Sequence, residues 1–363
     1  LMYEAAHKLT PDGYFKLATA VFAEMLEAGF TAVGEFHYLH HQADGAPYSE
    51  PNIMAQRVVD AANEVGIRIT LLDTLYLHGG LDADGYHSLS ANQLRFSDRS
   101  VDRYLERTGQ LQLTGDRTRT GTAVHSIRAV DPDSLALVTS ALDRPVHAHL
   151  SEQPEENNQA LAAHGRTPTQ VFSDAGVLSP ALTAVHATHL TPHDIRLLGE
   201  AGASVCFCPT TERDLADGIG PALELDTAGA RLCVGSDSHA VIDPFEEIRA
   251  IEMHERLASR RRGAFDSAEL LAAASRNGYR AIGWEEGGRI SAGAPADFIC
   301  IGSGSNRLAG ADRSLLSDTL VFSAGSGDVT DVVVAGRHIV TGGSHSMVET
   351  AELLDRAIRS LFE

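Results

Sequence analysis

The chain has 363 residues, 43% of them hydrophobic and 21% charged, and a formal net charge of −20. So negative a surface repels phosphate backbones and argues against a nucleic-acid partner. No apolar run approaches the roughly 18 residues of a membrane-spanning helix, so no membrane partner is expected either. The opening LMYEAAHKLT lacks the basic start and apolar core of a secretory signal. Four cysteines, Cys206, Cys208, Cys233 and Cys300, lie in apolar runs and are too few for a disulfide framework, which predicts a cytoplasmic protein.

In chain order, Thr10 reads as a helix N-cap with Pro11 at the first helical position, and Gly29 stops that helix. FTAVGEFHY (30–38) reads as a strand, 51–65 as a helix, and IRITLLDTLY (67–76) as a strand after Gly66. A helix near 98–108 follows, then the strand GTAVHSIRAV (121–130) and a helix opened by Asp131 and Pro132. The strands PVHAHL (145–150), ALTAVHATHL (181–190), ASVCFCP (203–209) and ARLCVGSDS (230–238) come next, with helices between them. Nearly all-apolar strands separated by helices predict a parallel sheet buried on both faces.

These amount to seven strands, and the run opens on a helix, whereas a closed (β/α)8 barrel needs eight. The expectation is therefore an α/β chain, a (β/α)8 TIM barrel over 1–288 whose first strand lies upstream of Leu1. From about Arg289 the texture changes to short β runs with glycine turns and no long helix, which predicts a small β-sandwich part over 289–345. A C-terminal helix is expected in 346–363.

The chemistry concentrates at strand ends. In HAHLSEQ (147–153) two histidines two apart share one side of a strand, and Glu152 follows three residues after His149. His186 in VHATHL, Asp237 in GSDSH, and His125 with Arg128 in HSIRAV occupy comparable positions. A single buried histidine is more often a hydrogen-bonded core residue than a ligand. That reading, or a supporting place behind the ligands, is preferred for His147, and loop or surface positions for His40, His41, His189 and His193. Packing does not account for His149, Glu152, His186 and Asp237 together. Zn2+ takes nitrogen and oxygen ligands and lowers the pKa of a bound water. Asp237 is suited to touch such a metal and accept the water's proton, Glu152 to carry a proton onward, and His186 to hydrogen-bond the developing oxyanion. One imidazole and one carboxylate do not suffice to hold the ion, so further ligands are required. Cys206 and Cys208 are read as packing thiols rather than a metal pair.

Arg128 on an apolar strand needs an anion. It offers a bidentate grip on a substrate carboxylate, or a bridge to a core acid such as Asp73 or Glu35. Arg213 is a weaker second candidate.

HxxE, the strand-end His186 and the GSD of Asp237 resemble the amidohydrolase superfamily in its mononuclear deaminase branch. EFHYLHH (35–41), HSIRAV and CPTTERDLADGI (208–219) are similar to the formiminoglutamate deiminases of that branch. The resemblance implies a metal-bearing barrel with a small β-sandwich, and a homodimer. It implies His149 and Asp237 as metal ligands beside a His-x-His pair from the first barrel strand. It also implies catalytic roles for Glu152, His186 and Asp237, and substrate contacts from Tyr38, His125 and Arg128. The cofactor would be one divalent metal, Zn2+ with Fe2+ as the alternative. The activity it implies is hydrolytic deimination of a small anionic amidine, formiminoglutamate. Two readings compete: deamination of a purine, pterin or triazine ring, and a non-catalytic binding protein on a decayed barrel. An aromatic content of 6% and a lone Trp284 outside the strand ends speak against the ring substrate. A retained Glu152 speaks against the decayed barrel.

Overall fold

A computed structural model describes residues 2–141 and 144–362. Helix Pro11–Ala28 starts where the sequence predicts: the Thr10 hydroxyl accepts from Gly13 N at 3.1 Å, and Gly29 closes the helix with φ 105°. A non-glycine residue is penalised at that angle. A short helix, Met2–Lys8, precedes it.

Seven strands follow: Ala32–His37, Arg68–Leu75, Thr118–Val124, Val146–Leu150, Leu182–His186, Ser204–Phe207 and Arg231–Val234. They form one parallel sheet in chain order, its edges being the first and last strands among the described residues. Arg68–Leu75 is buried at every position, as a strand covered on both faces must be. The sheet is strongly curved. Phe36 on the first strand stacks on His149 on the fourth with ring centroids 4.3 Å apart. Three inter-strand spacings in a flat sheet would separate those strands by about 14 Å. The architecture is that of a (β/α)8 barrel, here with seven strands.

Several predicted strands are shorter than their apolar patterns suggest: the strand expected to reach 190 is Leu182–His186, and the one expected to reach 238 is Arg231–Val234. Thr118–Val124 ends before HSIRAV, whose residues turn across the mouth of the sheet. The appended part is an antiparallel four-stranded sheet, Phe298–Ile301, Val329–Val334, Arg337–Thr341 and Ser344–His345. A helix, Leu316–Ser323, lies between its first two strands, where none was expected. The final helix, Thr350–Phe362, packs on Pro11–Ala28, and Glu27 Oε1 accepts from both Thr350 Oγ1 (2.8 Å) and His345 N (2.9 Å). One hydrophobic cluster fills the sheet and its helices. A second joins Phe22, Leu26, Val58 and Ile69 to Val329, Val332 and Val340 of the small sheet. Among the described residues no helix is long and apolar enough to cross a membrane.

Candidate active site

The strands are parallel, so their carboxyl ends open on one face, and the side chains there converge. His149 is the penultimate residue of Val146–Leu150. Its Nδ1 donates to the carbonyl of His125 at 2.8 Å, which leaves Nε2 as the nitrogen with a free lone pair. Its ring lies parallel to that of His186, with centroids 5.6 Å apart. His186 ends the next strand, almost wholly buried, with φ 67°. Its Nδ1 donates to Glu212 Oε1 at 3.3 Å, while Nε2 stands 3.8 Å from Glu152 Oε1 and 3.7 Å from Asp237 Oδ2. Asp237 follows the last strand at φ 44°. Left-handed backbone at a histidine and an aspartate carries strain, and strain of this kind clusters at functional sites.

The electrostatics follow from these contacts. Burial works against charge on His186, but the Glu212 hydrogen bond and the carboxylates of Asp237, Glu152 and Glu212 outweigh it and raise the imidazole to about 9. Burial would raise Glu152; the surrounding His186, His149 and Arg128 hold it below its ordinary value instead. Burial, helped by His186, lowers His149 and keeps a lone pair available.

Arg128 is paired within the chain, though not with the core acids its sequence position suggests. Its Nη2 donates to Glu152 Oε2 at 3.1 Å and stands 4.0 Å from Glu156 Oε2. Neither Asp73 nor Glu35 is its partner. Asp73 is held instead by both terminal nitrogens of Arg107, at 2.7 and 2.9 Å. Tyr38 and His125 form the adjoining wall, their rings 5.6 Å apart, and His125 also faces Tyr76 at 4.6 Å. That wall borders a cavity of about 320 Å³ lined by Tyr3, Tyr14, Phe36, Tyr38, Tyr76 and Phe96, among others. Arg213 lies apart, half-exposed and paired with Glu246 at 2.8 Å. Trp284 is sandwiched between Arg68 and Arg119 near the opposite strand ends.

His40 and His41 lie in the loop after the first strand, as the sequence suggests, but both are buried rather than at the surface. His40 Nε2 donates to Thr74 O at 2.9 Å, and His41 Nε2 meets Asp98 Oδ1 at 3.1 Å. Burial pushes the neighbouring His37 down to about 3 and His40 to about 4, so both are neutral. His147, as expected, is a core residue bonded to Ala281 O at 2.8 Å. His189 Nε2 donates to Asp217 O, and His193 is exposed.

Two neighbours escape sequence reading, and a third, Cys208, is read there only as a packing thiol. Glu212 orients His186 and also accepts from Cys208 N at 2.8 Å. In sequence it is merely an acid in the first turn of Pro209–Asp214, the usual complement to a helix dipole. Glu156 accepts the Glu152 N–H at 3.1 Å. The Cys208 sulfur, with His186 and Asp237, offers donor atoms all within 4.8 Å of one another. Cys206 and Cys208 pack against Gly235, where a Cβ would lie 3.2 Å from both sulfurs.

The donors present fit a divalent transition metal. His149 keeps a free Nε2, and the Asp237 carboxylate stands across the mouth beside His186. The neutral imidazole of His149, oriented by its other hydrogen bond, and that carboxylate are donors of the zinc or iron type, while His186 keeps a proton on Nε2 to donate.

The model of the amidohydrolase family matches residues 4–339. A formimidoylglutamate deiminase of Pseudomonas aeruginosa is 36% identical over 357 residues, covering 95% of this chain and 78% of its relative. An amidohydrolase structure from Brucella melitensis superimposes with a TM-score of 0.90 at 34% identity, over 100% of this chain and 82% of the other. An adenosine deaminase from Xanthomonas campestris with bound zinc gives 0.81 at 26%, over 98% and 75%.

Proposed function

The chain belongs to the amidohydrolase family, and on that premise we propose that it hydrolyses the formimino group of N-formimino-L-glutamate to N-formyl-L-glutamate and ammonia. The observation that carries the reading is Arg128, a guanidinium 3.1 Å from the acid Glu152, which itself reaches His186 and so the neighbourhood of Asp237. An anion-gripping fork beside a proton carrier suits a small carboxylate-bearing amidine.

Arg128 binds a substrate carboxylate, and Tyr38 and His125 line the substrate's flank. His149 and Asp237 would hold a divalent metal, Zn2+ or Fe2+, which when bound supplies Lewis acidity and lowers the pKa of water. Glu152, ionised at rest, takes one proton of the attacking water and delivers it to the imine nitrogen. Asp237 accepts the water's second proton and returns it to the same nitrogen, so that both protons leave with it as ammonia. His186 donates from Nε2 to the oxygen that develops negative charge at the formimino carbon. We also read 1–288 as the catalytic barrel, 289–345 as a β-sandwich part and 346–363 as its closing helix. The same reading makes the protein a cytoplasmic homodimer of histidine degradation, to be tested by fractionation and analytical ultracentrifugation.

A purine-type substrate is the second reading, favoured by the aromatic cavity beside His125 and by the zinc-bearing adenosine deaminase. Ammonia release from formiminoglutamate, with adenosine and guanine as competitors, separates the two. Release from formiminoglutamate alone supports the proposal; release from a purine alone ends it.

A further inference from the structure

Arg128 uses little of its donor fork. One nitrogen, Nη2, donates to one oxygen of Glu152, while Nε is buried with no hydrogen-bond partner. An arginine presents parallel donors that match both oxygens of a carboxylate, and the two-point grip is stronger than the one-point grip. Glu152 therefore occupies Arg128 in a form that a better-placed carboxylate can displace. The Arg128 side chain is 31% exposed, so such a carboxylate can reach it.

The surroundings prepare Glu152 for release. Its backbone N–H is fixed by Glu156 Oε2 at 3.1 Å, so only its side chain needs to move. Its second oxygen already stands 3.8 Å from His186 Nε2. Glu156, buried and 4.0 Å from Arg128, stays behind as a counter-anion for the guanidinium. An arriving carboxylate also repels Glu152 directly, since like charges at contact distance in a half-buried site are unfavourable.

Resting on the deiminase reading above, we propose that Arg128 is a substrate-operated latch. In its resting state it holds the proton carrier Glu152, and the substrate's own carboxylate takes Glu152's place and frees it to reach the imine nitrogen. Substrate selection then acts on turnover as well as on binding: an amidine without a carboxylate reaches the site but leaves the latch shut.

The test pairs formiminoglutamate with N-formiminobutylamine, which lacks both carboxylates, and uses the full chain and Arg128→Met. Wild type should turn over the butylamine amidine slowly, and added propionate should raise that kcat. Arg128→Met should raise kcat for the butylamine amidine above the wild-type value, on the order of 10–100-fold if one charge-assisted hydrogen bond restrains Glu152. Its KM for formiminoglutamate should rise, and propionate should no longer accelerate it. A butylamine kcat unchanged or lowered in Arg128→Met, with wild type indifferent to propionate, overturns the latch and leaves Arg128 a simple anchor. The propionate arm needs no variant, so misfolding of Arg128→Met does not rescue the idea. Wild type inert toward formiminoglutamate overturns the deiminase reading itself, and the latch with it.

Discussion

The carbonyl of His125 accepts a hydrogen bond from His149 Nδ1 at 2.8 Å, joining the loop after one barrel strand to the end of the next. The bond fixes both the tautomer and the ring orientation of His149. It also sets the HSIRAV turn, and so the position of Arg128, against the same imidazole. The HSIRAV turn that carries Arg128 and the imidazole of His149 are one mechanical unit.

His149→Asn should therefore lower bound metal in the holoenzyme as well as ammonia release. Inductively coupled plasma mass spectrometry on the purified protein reads this directly. Wild-type stoichiometry in the variant would remove His149 from the ligand set.

Glu152→Gln should keep its metal and lose about 10²–10⁴-fold in kcat, the usual worth of a positioned acid or base. Near-normal ammonia release would transfer the proton-carrying role to another group.

Glu212→Gln leaves a neutral group facing His186 Nδ1, and should lower kcat by about 10–100-fold with KM little changed. A rise in KM alone would mean that Glu212 shapes the pocket rather than orients the imidazole.

Glu247 is buried and accepts from both Thr210 N and Thr210 Oγ1. Burial raises its carboxyl from the ordinary 4.5 to about 8. The folded state thus holds a proton that the unfolded chain releases. Its contribution to stability is complete below about 4.5 and is lost as pH rises toward about 8. Thermal melts of wild type and Glu247→Gln across that window should show the variant gaining on wild type as pH rises. A pH-independent difference contradicts the assignment.

Arg107 holds two buried carboxylates, Asp73 and Asp98, and also donates to Asn52 at 3.1 Å. Arg107→Ala strands both charges and should destabilise the fold by about 3–5 kcal/mol, measured by urea unfolding. A loss under about 1 kcal/mol would mean that the acids find protons or water at little cost.

Much of this was legible because it is periodic or punctuated. The parallel strands announced themselves as apolar runs between helices, and Thr10, Pro11 and Gly29 marked a helix that begins and ends where they stand. His149, Glu152, His186 and Asp237 stood out as polar residues at the ends of apolar strands, and the fold gathers them at one mouth. What the sequence hid is pairing across space. Arg128 reads equally well beside Asp73 or Glu35, yet its partners are Glu152 and Glu156, because HSIRAV turns instead of extending the strand. The burial of His40 and His41 in their loop was hidden because nothing local announces the Thr74 carbonyl and Asp98 that satisfy them. Glu212 was masked by a simpler role as a helix-start acid.

The left-handed backbone at Ser151, His186 and Asp237 has a practical meaning for anyone redesigning this protein. Each such angle costs of order 1–3 kcal/mol, so the mouth is held in shape by the sheet beneath it. Attempts to raise thermal tolerance belong in the helices and the small antiparallel sheet. Relaxing these three positions would make a sturdier molecule with a duller tool.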